Sequence, residues 1–198
     1  MANTSRVRGA RPVKHLTGAP YNGQANKYSA LSTDSSVIMV GDFVQLDSTD
    51  SANTGVYPAV KRLAAGDSSA ANIVGAVVGF SIDPTNLNTP QYRAASTARV
   101  LFVADAADIV YEIQEDAVGG ALATTSIGLN AAIDLTAGST TTGSSGMQLD
   151  TSTAATTSAL PLKIVGFTDS EDNEAGSANA KVLVTVNNSL YRGGQAGQ

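Results

Sequence analysis

No cysteine occurs in the 198-residue chain, so neither a disulfide nor a thiolate zinc site can hold it together. Stability has to come from packing and association. Tryptophan is also absent, and aromatic residues are few: six Tyr and four Phe. The single histidine, His15, lies between Lys14 and Leu16 in a stretch broken by Gly and Pro. A catalytic triad or a histidine-based metal centre needs that ring held rigidly beside partners, and this stretch promises no such frame. Long apolar runs are missing too. The longest, IVGAVVGF at 73–80, falls well short of the roughly 20 residues that a membrane span requires. Nor does an apolar stretch of about 7–15 residues follow the early basic residues, as it does in a secretory leader. The expected product is soluble and made in a cytoplasm. The last absence is local: the first 28 residues contain no Asp or Glu.

Those 28 residues do contain Arg6, Arg8, Arg11, Lys14 and Lys27, while residues 29–198 carry all seventeen carboxylates against seven cations. A basic leader on an acidic body argues against broad contact with nucleic acid, which depends on basic surface. The leader is punctuated by Gly9, Pro12, Gly18, Pro20 and Gly23, and shows neither helical nor strand periodicity. It reads as an extended arm, residues 1–28, ahead of a β-rich body at 29–192 and a flexible tail at 193–198. Ordering backbone costs about 1–2 kcal/mol per residue. The arm's few apolar side chains cannot offset that internally, so its order is expected to come from a neighbouring molecule. Fully extended, it reaches roughly 90 Å. Arg6, Arg8, Arg11, Lys14, His15, Tyr21, Lys27 and Tyr28 are its candidate partner-binding residues.

Hydrophobic residues make up 42% of the chain, enough for a core, and they are mainly Val, Ile, Leu and Ala among many Ser, Thr and Gly. That composition favours β-structure. Nine short runs bounded by turn residues read as strands: 36–46, 55–63, 72–80, 98–104, 108–114, 131–136, 146–150, 160–167 and 180–187. In DIVYEIQ, Ile109, Tyr111 and Ile113 alternate with Val110, Glu112 and Gln114, the period of a half-buried strand. The predicted fold is all-β, a sandwich or partly open barrel. DAVGGALATT at 116–125 is the best helix candidate, weakened by its paired glycines. The Ser/Thr/Gly-rich stretch 138–160 is expected to loop over the surface, except for MQLD, which should pair with AAIDLT. VGFSIDPTN followed by ARVLFV echoes VGFTDSEDN followed by AKVLVT. Either two hairpins meet the same packing problem, or half of the body is duplicated.

Chemistry-bearing clusters are weak. DSTD (Asp47, Asp50) and DSEDNE (Asp169, Glu171, Asp172, Glu174) offer oxygen ligands, but without the order of ligands and glycine of a calcium loop. Glu112, Glu115 and Asp116 in YEIQED could imitate a glycosidase pair, with nothing beyond residue type to support it. No phosphate-cradling glycine loop and no GxSxG elbow occurs. The expectation is a non-enzyme that needs no cofactor and no metal. A surface carbohydrate-binding or adhesion module is the rival reading, although scarce aromatics leave little for sugar stacking. A β-rich hydrolase is a second.

RGARPVKHLTGAPYNGQ, VGDFVQL, VGFSIDPTNLNTPQYRAASTARVLFVAD and LPLKIVGFTDSEDNEAGSANAKVLVTVNN resemble virion structural proteins of tailed bacteriophages. Within that group they are most similar to the small head-decoration, or cement, proteins. The likeness covers most of the chain and is carried by glycines, turns and strands, so it assigns no functional residue. It implies a β-rich protein, often trimeric, on the outside of a capsid, bracing the major capsid protein across capsomer junctions. No membrane or nucleic-acid partner is expected.

Overall fold

The computed structural model describes residues 3–47, 56–64 and 72–192. Among these residues eleven strands form two antiparallel sheets, in agreement with the all-β sandwich expected. They are β1 (Arg11–His15), β2 (Asn26–Ala30), β3 (Phe43–Leu46), β4 (Val60–Arg62), β5 (Ile73–Phe80), β6 (Arg99–Ala104), β7 (Ile109–Gln114), β8 (Asn130–Asp134), β9 (Gln148–Ala155), β10 (Leu162–Phe167) and β11 (Lys181–Val186). All nine expected runs contribute a strand. The larger sheet runs β1-β7-β11-β10-β8-β9 and the smaller β2-β6-β5-β3-β4.

The other two strands lie in the leader, which is a correction. Residues 3–28 are extended, as expected, but they lie along their own body rather than projecting from it. β1 pairs with β7, β2 pairs with β6, and Ala10 and Tyr28 are buried at 1% and 3% exposure. Gly9 and Gly41 make the fastening possible. Both have positive φ (69° and 93°), and a Cβ on either would collide with the other's backbone neighbourhood. The Ala10 N–H then donates to the Gly41 carbonyl at 2.9 Å. The ordering cost is offset by hydrogen bonds and burial within one chain, so no neighbour is required for it.

Two further expectations change. Residues 116–125 do not form the expected helix: Ala117, Gly119 and Gly120 take positive φ, and only the end of the stretch enters a single helical turn, Thr124–Ser126, the one such turn among the described residues. The stretch 138–160 is not all surface loop either. MQLD does pair with β8, but Met147 is fully buried, its sulfur 3.3 Å from the Phe43 amide, and β9 runs on to Ala155. Asp50 and the tail 193–198 lie outside the described residues.

With β1 set aside, the two sheets are one five-strand unit used twice. Moving each strand of β2-β6-β5-β3-β4 five places along the chain yields β7-β11-β10-β8-β9. Their registers coincide as well. Val77, Gly79 and Phe80 face Val103, Phe102 and Leu101, and Ile164, Gly166 and Phe167 face Val184, Leu183 and Val182. The ladder shifts at Val78 in one hairpin and at Val165 in the other. Val44 faces Gly75 as Ala131 faces Leu162, and Leu46 faces Val60 as Ile133 faces Leu149. Lys27 faces Phe102 as Glu112 faces Leu183. In each unit a parallel bridge also draws the first strand towards the third, Ser29 to Ala59 and Glu115 to Leu149.

The core follows the alternation of the strands. Tyr28, Val44, Val60, Val77, Leu101 and Val103 pack together on one face of the smaller sheet. Its other face sends Phe43, Ile73, Ala76 and Ala104 into the larger cluster with Tyr111, Ile133, Leu162, Val182 and Val184. Phe43 meets Tyr111 edge-on, ring centroids 5.4 Å apart, and the Tyr111 hydroxyl donates to the Ala104 carbonyl at 2.6 Å.

Candidate partner-binding surface

The segment leading into β1 is pinned at several backbone points. The Asn3 amide donates to the Glu174 and Ser177 carbonyls, and its oxygen accepts from the Glu174 N–H at 2.7 Å. The Arg6 N–H donates to Gln114 Oε1 at 2.8 Å, while Gln114 Nε2 donates to the Thr4 carbonyl at 3.0 Å. β1 then sets Arg11 opposite Glu112 and Lys14 opposite Val110, with a bulge between Pro12 and Lys14. Beyond it the chain folds back, the His15 N–H reaching the Ala19 carbonyl at 2.8 Å and the Tyr21 N–H reaching Val13 at 3.1 Å.

On this fixed backbone the side chains of Arg6, Arg8, Arg11 and Lys14 are exposed. None of the four side chains has a hydrogen-bond or ion-pair partner among the described residues. Arg6, Arg8 and Arg11 share the lining of a 140 Å³ cleft with Glu112, Asp172 and Lys181. Lys181 is engaged with Asp172 at 2.6 Å, and together with Ser170 it holds that carboxyl down to about 2. The free cations therefore form a ridge along the leader and the first strand.

The other four expected residues separate from this ridge. His15 is half-buried, its Nδ1 3.1 Å from an Asp108 carboxylate oxygen and its ring 6.4 Å from that of Tyr21. The Tyr21 hydroxyl donates to the Gln24 carbonyl at 2.7 Å, and burial, then the charge of Asp105, push it up. Lys27 lies on the other sheet, exposed, its ammonium 5.9 Å from the centre of the Tyr57 ring. Tyr28 is a core residue. Its hydroxyl donates to Asp105 at 2.7 Å and lies 3.0 Å from the Tyr191 hydroxyl, and burial is the first cause of its strongly raised pKa.

The acidic clusters are used in tying strands and loops. Glu112 accepts from the Thr168 hydroxyl at 2.8 Å. Glu115, fully buried, accepts from the Ala117 and Ala180 amides, and desolvation raises its pKa. Asp116 accepts from the Val118 and Thr151 amides and the Thr151 hydroxyl. Asp47 lies 3.8 Å from Lys61. Among the described residues no three His, Asp or Glu side chains converge as a metal site would require.

Sequence reasoning missed two features. Arg93 is completely buried, its guanidinium donating to the carbonyls of Leu31, Asp34, Ser36 and Thr97 beside the Asp34 carboxylate. A lone Arg between Tyr and Ala carries no signal of that role. Ile82 and Leu87, at 74% and 78% exposure, stand out from the β5–β6 loop, and apolar residues within SIDPTNLNTP were the available clue. No family model, curated protein or solved structure matches this chain.

Proposed function

We propose that the protein is a structural virion component that seats on the outside of a phage shell and reinforces it across capsomer junctions. It does so through the ridge Arg6–Arg8–Arg11–Lys14, against acidic surface of the major capsid protein. One observation carries the reading: four exposed cations, without partners among the described residues, sit on a leader whose backbone is held by the β1–β7 ladder and by hydrogen bonds at Arg6 and Ala10. A rigid ridge binds without the ordering cost that a loose arm would incur on docking. Opposite charge on the shell steers and orients it, and weak contacts repeated by symmetry add avidity. The surrounding body is acidic, which suits the soluble exterior of a particle. Assembly as a homotrimer belongs to the same reading, because threefold copies match threefold positions of a shell.

The test is the joint change of Arg6, Arg8, Arg11 and Lys14 to Ser. The melting temperature is expected to stay nearly constant, because these side chains are exposed and make no hydrogen bond or ion pair with the described residues. Binding to shells lacking the protein should fall at least about tenfold at low salt, and the remaining binding should lose most of its salt dependence. Full occupancy with an unchanged salt response would remove the ridge from the account.

A further inference from the structure

Asn22 is the only asparagine of the chain that a glycine follows. With no Cβ on the second residue, the backbone nitrogen can close on the side-chain amide of the first. The pair lies between β1 and β2, just after the segment that folds back along β1, and both residues are exposed. Neither the Asn22 amide nor the Gly23 N–H has a hydrogen-bond partner among the described residues. Gly23 takes a φ of 85°, and a Cβ there would meet nothing within 4 Å, so this peptide is open to water. The Tyr21 hydroxyl donates across the pair to the Gln24 carbonyl at 2.7 Å and leaves both groups free.

Asparagines elsewhere in the fold are tied down. Asn26 Nδ2 donates to both carboxylate oxygens of Asp105 at 3.0 Å. Asn173 donates to the Thr168 and Lys181 carbonyls and accepts from the Lys181 N–H. Asn188 donates to the Ala159 carbonyl at 2.9 Å, and Ser189, the residue after it, is buried at 2% exposure. A held amide cannot turn towards the next backbone nitrogen, and a buried one is shielded from water and base.

We infer that Asn22–Gly23 is a self-modification site, at which the chain converts its own side-chain amide to a carboxylate. The Gly23 nitrogen gives its proton to hydroxide and attacks Asn22 Cγ. An N–Cγ bond forms, the Cγ–Nδ2 bond breaks, and Nδ2 takes a proton from water and leaves as ammonia, which returns the hydroxide. Water then opens the five-membered imide at either carbonyl. One opening yields aspartate; the other yields an isoaspartyl link that carries the main chain through Cβ and Cγ. Ring closure needs no partner beyond water and base, because both reacting groups already belong to one chain. The product is the first carboxylate in a leader that has none. It arises next to Tyr21, whose N–H reaches the Val13 carbonyl, and so beside the strand that carries Arg11 and Lys14. The modification does not depend on whether that strand binds a shell.

The intact protein is incubated at pH 7 and at pH 9, with and without urea, then cut with trypsin and mapped by mass spectrometry. Cleavage after Lys14 and Lys27 releases residues 15–27, HLTGAPYNGQANK, which hold Asn22 and Asn26 together. In the folded protein Asn22 should gain about one mass unit, as two products of equal mass that separate on chromatography, and faster at pH 9 than at pH 7. Asn26 and Asn188 should convert at least about tenfold more slowly. Asn22→Gln, whose ring would need one more carbon, should abolish the change at residue 22. Asn22 is exposed and unbonded, so that variant is expected to melt like the parent. Asn22 that keeps its amide in the folded protein, whether or not it converts in urea, would overturn the inference. So would conversion of Asn26 or Asn188 ahead of Asn22.

Discussion

Asp42 lies at 1% exposure between the two sheets, accepting from the Ser145 hydroxyl at 2.6 Å and the Met39 amide at 2.7 Å, with the Arg62 Nε at 3.2 Å. Arg62 continues to the Leu135 and Thr136 carbonyls, so the cluster links β4 to the end of β8. Desolvation outweighs these favourable contacts and raises the Asp42 pKa above its usual value of 3.8. The folded protein then holds this proton more tightly than the unfolded chain does. Charged Asp42 thus opposes folding at neutral pH, and the opposition is relieved as pH falls through the raised value. Replacing it by Asn removes that titration. Measured by urea midpoints, Asp42→Asn should compare best with the parent near pH 7 and progressively worse towards pH 4. Asp83 and Asp172, whose pKa values are lowered, act in both proteins and cancel from the comparison. A constant difference across that range would show that Asp42 does not titrate in this way.

β1 shows why some elements were legible in the sequence and others were not. DIVYEIQ and AKVLVTVN were readable as strands because Ile109, Tyr111 and Ile113, and likewise Val182, Val184 and Val186, alternate along the sequence and enter the larger core, although Val110 and Gln114 on the other face of β7 are buried too. RPVKH is an edge strand, mostly exposed, and its order comes from the β7 ladder and from Gly9 against Gly41. Such pairings link distant residues and leave no periodicity. Pro12 and Lys14 are nevertheless the residues that edge strands tolerate, and they were the available hint. The charge of the candidate site was legible, whereas its rigidity was not, and Tyr28 was misplaced because a buried Tyr and an arm Tyr look alike in sequence. Rigidity makes a prediction opposite to that of a loose arm. Deleting residues 2–15 removes Ala10 from the core and bares the β7 edge. The melting temperature should fall by about 10 °C or more, with association of the exposed edges visible by sedimentation. A truncated protein that melts like the parent would restore the arm as a separate element.

Across the whole molecule, the repeated unit does not imply two independent folding bodies. Phe43, Ile73, Ala76 and Ala104 come from the smaller sheet, yet they pack in the cluster built mainly by the larger one. The hairpin echo in the sequence was the visible part of the repeat; the matching β2/β7, β3/β8 and β4/β9 segments share too few residues to be recognised without their register. Because the larger core is closed by side chains from both units, loss of one should weaken both sheets together. Phe43 is fully buried against Tyr111 and Met147, and Phe43→Ala is expected to cost about 3–5 kcal/mol. Calorimetry should show one transition, shifted downwards, with calorimetric and van't Hoff enthalpies in agreement. Amides of β6 and β11 should lose exchange protection in parallel, although those strands lie in different sheets. If β6 alone loosens while β11 keeps its protection, the two units fold separately, and the cluster around Phe43 is a contact surface between them rather than a shared core.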